Sequence, residues 1–222
     1  MMTPMFHEPY SPAILETTVS KRFVKIVNTV ADDVLSDEDK SKKWDWSHKL
    51  VGKVSKEIQI PVTDADDRNY LFQTMKQGCL DYLNYNIDKN RAQSYNKIVG
   101  EGEKPTIENI HLTQSWVVSQ YAGDFNPIHH HNGDFSAAIY LKVPKGMTEE
   151  WDEDFKDHYP AKGLIEFTFG ESQSFRNDGM KFKPEVGKFL VFPSWLRHFV
   201  YPFSVEGERR MMSFNASIIN RG

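Results

Sequence analysis

Cysteine occurs once in the 222 residues, at Cys79, which excludes an internal disulfide framework. Long apolar runs are missing too: none approaches the ~20 residues that span a bilayer. The N-terminus, MMTPMFHEPY, lacks the basic stretch and apolar core of a secretory signal. Nor is there an excess of positive charge, with 27 Lys and Arg against 31 Asp and Glu and a net charge of −4. That argues against a nucleic-acid partner, because a phosphate backbone selects a basic surface. These absences lead to the expectation of a soluble intracellular protein, from a cell or a virus replicating in one, with neither membrane nor nucleic acid as partner. At 39% hydrophobic and 26% charged, the composition is ordinary for a globular chain able to bury a core.

The first third reads as helix. Between Ser20 and Leu35 apolar residues recur at Phe23, Ile26, Val27, Val30 and Val34, three and four apart as one helix face requires. Ser36 to Lys43 is charged, a connection or short helix. Glu57-Ile58-Gln59-Ile60 before Pro61 predicts a short strand ended by proline. From Thr63 to Asn90 a second helix is expected, with Asp64, Asp66 and Asp67 in its first turn and Phe72, Met75, Cys79, Tyr82 and Leu83 as its buried stripe. Lys89 to Pro105 reads as a loop.

After about Thr106 the period changes from helical to alternating. Aromatic and β-branched runs at Ser115–Tyr121, Ala137–Val143, Gly163–Phe169, Gly187–Phe192 and Arg209–Ile219 are separated by turn residues such as Gly123-Asp124, Gly170 and Asp178-Gly179. Short strands at this spacing predict a mainly β fold, an all-β sandwich or a jelly roll (a cupin-like double-stranded β-helix), buttressed by N-terminal α-helices. We read 1–222 as a single domain, with 1–105 a helical support region and 106–222 the jelly-roll core. Gly146 to Lys162 reads as an irregular acidic and aromatic segment near the barrel mouth.

Eight histidines are present. If Ile128 to Asn132 is extended, His129 and His131 face one way and His130 the other, since residues two apart share a side. Two imidazoles on one face make half a metal site, and imidazole suits iron, zinc, copper and nickel alike. The run Gly187-Lys-Phe-Leu-Val-Phe-Pro-Ser-Trp-Leu-Arg-His198 takes an apolar strand through a turn to a histidine opening the next strand. A jelly roll delivers a further ligand from its opposite sheet in this way. His158 is not expected to be a ligand, and His7, His48 and His111 lack the strand context. Arg209 heads its own strand and shares a face with Met211, Ser213 and Asn215. A buried cation there needs an anionic partner, and a dicarboxylate gripped in two-pronged fashion would supply one. Arg210 points the other way, which predicts a solvated or surface-pairing residue.

In these features, from about Trp116 to Asn215, the chain resembles the 2-oxoglutarate/iron(II) dioxygenase superfamily. It is similar to the prolyl-4-hydroxylase-like branch, and more so to oxygenases of this kind from marine bacteria and phages. The resemblance lies in Tyr121-Ala-Gly-Asp-Phe-Asn-Pro-Ile-His129, Ala138-Ile-Tyr140-Leu141, the run Gly187 to His198, and Arg209 with Ser213. It implies iron(II), 2-oxoglutarate and oxygen as cofactor and cosubstrates, and hydroxylation of a substrate it does not name, a small molecule or a protein side chain. It implies His129 and His198 as metal ligands, and Arg209, Tyr140 and Ser213 around the distal carboxylate of 2-oxoglutarate. Tyr121 would line the pocket. It also implies residence in the cytoplasm of a bacterium or of a phage's host, and leaves a homodimer open.

The superfamily's usual motif is His-x-acid, and here His131 stands where the acid would be. Either three histidines form the metal face, or Asp134 reaches in from the following turn; the spacing of two favours His131. Two readings compete with the oxygenase. One is a cupin-like metal-binding protein, an isomerase or ligand-binding module, without 2-oxoglutarate chemistry. The other is a structural or interaction protein whose site has decayed.

Overall fold

The switch of period near Thr106 is where helix gives way to sheet in the computed structural model, which describes residues 12–47, 53–89, 91, 104–152, 161–174 and 177–220. Helix α1 (Lys21–Leu35) begins where the Ser20 hydroxyl accepts from the Phe23 amide, and it buries Phe23, Val27, Ala31 and Val34. The charged stretch forms α2 (Glu38–Lys43), capped by Asp37. In α3 (Ala65–Asp88) the Asp64 carboxylate accepts from the Asp67 amide, and Leu71, Met75, Gly78, Cys79, Tyr82 and Leu83 are buried. Phe72, expected in that stripe, is 42% exposed, because Leu71 takes the inward position. Gly78 sits mid-helix because a Cβ there would meet the Phe189 ring. The segment expected to be irregular opens with a short helix, α4 (Met147–Asp152).

Ten strands are described: β1 (Leu15–Thr18), β2 (Lys56–Ile58), β3 (Ile110–Gln120), β4 (Asn126–His129), β5 (Phe135–Lys142), β6 (Ile165–Thr168), β7 (Gly179–Phe182), β8 (Lys188–Pro193), β9 (Arg197–Val200) and β10 (Arg209–Ile218). They form a six-stranded sheet, β1-β8-β5-β10-β3-β2, and a four-stranded sheet, β4-β9-β6-β7. Every pairing is antiparallel. Trp116, Tyr140 and Leu190 of the larger sheet pack against Ile165, Phe167 and Val200 of the smaller one, giving the two-layered jelly roll. On the larger sheet's other face, Val117, Ile139, Val191 and Phe214 pack against α1 and α3. The N-terminal third therefore does more than lay helices outside, for β1 and β2 are the two edge strands of the larger sheet. β1 escaped the sequence reading because four residues carry too little pattern. β7 starts at Gly179, where a turn was expected. The Lys89–Pro105 loop falls almost wholly outside the described residues, as do His7, His48 and His158.

Register decides what faces inward. Directly paired residues share a face, so Ser213 lies beside Trp116 and Ala138, Met211 beside Val118 and Tyr140, and Arg209 beside Gln120. Arg210 faces the helices instead and is 2% exposed, not solvated. Its guanidinium donates to Glu208 (2.6 and 3.0 Å), Asp32 (2.7 Å) and Asn28 (3.1 Å), tying β10 to α1. Removing one partner of a buried pair leaves the other charge uncompensated, so Arg210→Ala should destabilise the fold by about 3 kcal/mol in urea denaturation. Burial works against the charge on Glu208 and Asp32, yet the bonds from Arg210, Ser119 and Lys142 hold both carboxyls below their ordinary range. Carboxyls depressed on folding stabilise above their unfolded values and lose that contribution as acid protonates them. The wild-type melting temperature should therefore fall as pH drops from about 5 toward 3, and fall less in Arg210→Ala.

Candidate metal centre

Strands β4 and β9 set His129 and His198 directly opposite each other. His131 lies two residues past β4, and its amide donates to the Ser194 carbonyl (2.9 Å), which pins it to the turn between β8 and β9. The rings gather closely, with centroids 4.3 Å apart for His129 and His198, 5.0 Å for His129 and His131, and 5.2 Å for His131 and His198. One nitrogen from each lies within 4.8 Å of the others. His130 is exposed and is not part of this cluster.

Local bonds fix which nitrogen is available. Nδ1 of His129 meets the Pro127 carbonyl at 2.7 Å, and Nδ1 of His198 meets the Leu196 carbonyl at 3.0 Å. A carbonyl can only accept, so each Nδ1 carries the proton and each Nε2 keeps a lone pair. Burial drives the His198 pKa down to about 3 and that of His131 to about 4; it also lowers His129, against the Pro127 bond. All three are neutral imidazoles at pH 7, the form a metal takes. Three such donors fit a first-row dication and leave coordination positions open.

Asp134 is not among them. Its carboxylate accepts from the Ile218 amide (2.8 Å) and its own amide donates to Ala216, so it closes the end of β10 against the turn before β5.

Arg209 is fully buried, and no carboxylate among the described residues pairs with it. It donates to the Gln120 side-chain oxygen and to Tyr140 Oη (3.3 Å), contacts Met211 Sδ (3.5 Å), and lies over the Tyr140 ring at 5.0 Å. Burial pulls its pKa below the ordinary arginine value, with Tyr140 opposing. Its Nε has no partner, nor do the buried Gln120 Nε2 and Asn126 Oδ1. Gln120, Asn126, Met211 and Ser213 line one cavity with the three histidines. The cavity wall thus carries an unpartnered donor, Gln120 Nε2, an unpartnered acceptor, Asn126 Oδ1, and the imidazoles, with the Arg209 guanidinium behind it.

The histidines also border a cleft of about 680 Å³, lined by Trp46, Thr113, Gln114, Trp116, His130, Asn132, Asn215 and Ser217. Tyr121 is elsewhere: it is 43% exposed, and the charges acting on it are those of Glu208, Arg210 and Lys142 on the outer face. The structure thus gathers His129, His131, His198 and Ser213 around one cavity, sets Arg209 and Tyr140 behind it through Gln120 and Met211, and leaves Asp134 and Tyr121 apart. Gln120 and Asn126 escaped the sequence reading. Gln120 was findable only from register, as the residue opposite Arg209.

Three histidines converging inside a jelly roll form a group that could hold a metal ion. Residues 114–215, the stretch that carries all three histidines and Arg209, match the family model described as putative 2OG-Fe(II) oxygenase. No curated protein sequence matches the chain. Among solved structures, a Pseudomonas putida prolyl-4-hydroxylase is similar at 15% identity and TM-score 0.52, with 96% of this chain and 95% of that one covered. A Trichoplax adhaerens prolyl hydroxylase crystallised with a hypoxia inducible factor peptide shares 13% identity at TM-score 0.51, covering 92% and 83%. SnoN, a non-heme alpha-ketoglutarate-dependent epimerase of nogalamycin biosynthesis, shares 12% at TM-score 0.55, covering 91% and 75%. At these identities the likeness is one of fold.

Proposed function

We propose that the chain is a non-haem iron(II) oxygenase in which His129, His131 and His198 hold the metal, and that it couples oxidative decarboxylation of 2-oxoglutarate to hydroxylation of a small molecule or peptide. The observation that carries this is the pairing, inside one barrel, of three neutral imidazoles with a buried arginine that has no counterion among the described residues. A barrel that bound metal alone would leave the Arg209 charge buried at full desolvation cost; a dicarboxylate removes that cost.

Bound iron and 2-oxoglutarate supply the oxidising chemistry; the chain supplies placement and shelter. The Pro127 and Leu196 carbonyls aim two Nε2 lone pairs inward. Arg209, steadied by Gln120 and Tyr140, would grip the distal carboxylate of the cosubstrate, with the Ser213 hydroxyl on the same face. Phe167, Phe192 and Trp116 wall the histidines from water. Substrate would enter through the cleft beside His131. We place this activity in the cytoplasm, and take residues 1–105 as the support of a single domain; no helix among the described residues is long and apolar enough to cross a membrane.

The direct test is iron-dependent formation of succinate from 2-oxoglutarate. Succinate in the presence of iron(II) and none with zinc(II) is expected; equal rates with and without iron would refute the assignment. The third ligand has its own test. Asp134→Asn should bind cobalt(II) as wild type does, whereas His131→Ala should lose most of its affinity. The reverse pattern would put Asp134 on the metal.

A further inference from the structure

One more ionisable group is buried on the barrel's inner side. Glu57 on β2 pairs directly with Val118 on β3, so it shares the face that carries Met211 and Tyr140 on the next two strands. Val118 itself lines the cavity of the three histidines. The Glu57 side chain is 1% exposed, and neither carboxyl oxygen has a hydrogen-bond partner among the described residues. Trp46 and Val54 pack against the same cluster. Burial pushes its pKa up to about 8, and Asp45, the charged group acting on it, pushes the same way. Without a cation nearby, this carboxyl is mostly protonated at pH 7.

The metal centre has the opposite imbalance. Three imidazoles bring no negative charge, and Arg209 adds a buried positive one. A dication with a 2-oxoglutarate dianion would therefore leave the barrel one positive charge in excess. In the two-histidine, one-carboxylate arrangement the ligand carboxylate removes that excess. Here the barrel has an unbalanced cation and, one strand beyond the cavity wall, a carboxyl with no partner.

Resting on the metal assignment above, we infer that Glu57 is the counter-charge of the metal centre. When the dication binds, the Glu57 O–H bond breaks, the electron pair stays on oxygen and the proton leaves to solvent. The carboxylate left behind supplies, from beyond the coordination sphere, the charge that His131 does not.

Calorimetric titration of cobalt(II) into metal-free protein near pH 7, in two buffers of different protonation enthalpy, counts the protons released. Wild type should release about one more proton per cobalt than Glu57→Gln, and the variant should bind cobalt roughly ten- to a hundred-fold more weakly, as expected for a charge acting over several ångströms of protein. The metal-free variant should melt at or above the wild-type temperature, because the native group is itself uncharged there. Equal proton release and equal affinity would overturn the role of Glu57. Should Glu57→Gln fail to fold, the wild-type affinity decides: it should rise with pH up to about 8 and then level off, and a flat profile overturns the inference. Wild type that takes up no cobalt overturns the metal site itself. Binding that is lost in His198→Ala, with proton release unchanged in Glu57→Gln, overturns Glu57 alone.

Discussion

His198→Ala should lose iron(II) binding and succinate formation together while keeping its fold. Zinc(II) held by four ligands in zinc-finger peptides is bound by about 10–16 kcal/mol, roughly 3 kcal/mol per ligand, so losing one imidazole here should cost about a hundred-fold or more in affinity. Of the three histidines, His198 has the least freedom to be replaced. It is 4% exposed, paired in register with His129, and held by the Leu196 carbonyl. The Phe167 and Phe192 rings pack against it, so a water that took its place would find few polar partners. Since the imidazole is neutral and packed among aromatic rings, alanine removes contact area without stranding a charge. The metal-free melting temperature should drop by only a few degrees, as for a modest core truncation. His130→Ala, one residue from His129 but exposed, should change neither property. Equilibrium dialysis against iron(II) under anaerobic conditions, beside a melting curve, separates the two effects. Wild-type affinity in His198→Ala would remove this residue from the site.

Arg209→Met is expected to act on the cosubstrate and not on the metal. A charge-assisted bond is worth about 1.5–3 kcal/mol, and two of them to one carboxylate amount to roughly a hundred-fold or more in affinity for 2-oxoglutarate. The apparent KM for 2-oxoglutarate should rise accordingly, with iron(II) affinity nearly unchanged. Stability should move the other way. In the metal-free protein Arg209 is fully buried with one orphaned donor and no carboxylate partner among the described residues, and replacing such a charge by an apolar side chain of similar length is often neutral or stabilising by ~1–4 kcal/mol. A variant that melts higher but no longer responds to 2-oxoglutarate is the expected signature. A residue serving only the core would show the reverse, a lower melting temperature and an intact response. Arg210 is the internal contrast: the neighbouring arginine, equally buried, has Glu208 and Asp32 as partners, so its loss costs stability and leaves cosubstrate binding alone.

Much of this was legible in sequence because it rests on period. The three-and-four spacing of Phe23, Val27 and Val34 places α1, and the alternation around Tyr140 and Arg209 places β5 and β10. The two-residue step from His129 to His131 separates both from His130 without a structure. What could not be read depends on pairing between distant segments. Glu57 looks like an ordinary strand-edge carboxylate until β2 is found against Val118, and Gln120 looks like a solvated residue until it is found opposite Arg209. β1 is four residues long and gains its meaning only from β8. Phe72 misled because a helix stripe drifts by one residue over several turns, and Leu71 fits the inward position better. Arg210 was expected to be solvated or surface-pairing because alternation gives a side chain's direction and says nothing of what covers it; it does pair, but buried, for α1 covers it and Asp32 meets it there. Tyr121 sits where the superfamily's pattern would use it, and Asp134 was the alternative third ligand, but their turns direct one to the outer surface and the other to the Ile218 amide.

The central claim is that one barrel holds iron(II) on three histidines and 2-oxoglutarate on Arg209, in mutual contact. Anaerobic titration of the metal-free protein with iron(II) and then 2-oxoglutarate tests it most directly, because chelation of the metal by the 2-oxo acid produces a visible charge-transfer band that neither component gives alone. We predict that the band appears with wild type and Asp134→Asn, requires far more 2-oxoglutarate in Arg209→Met, and is absent in His198→Ala. No band in wild type, or one undiminished in His198→Ala, would contradict the account.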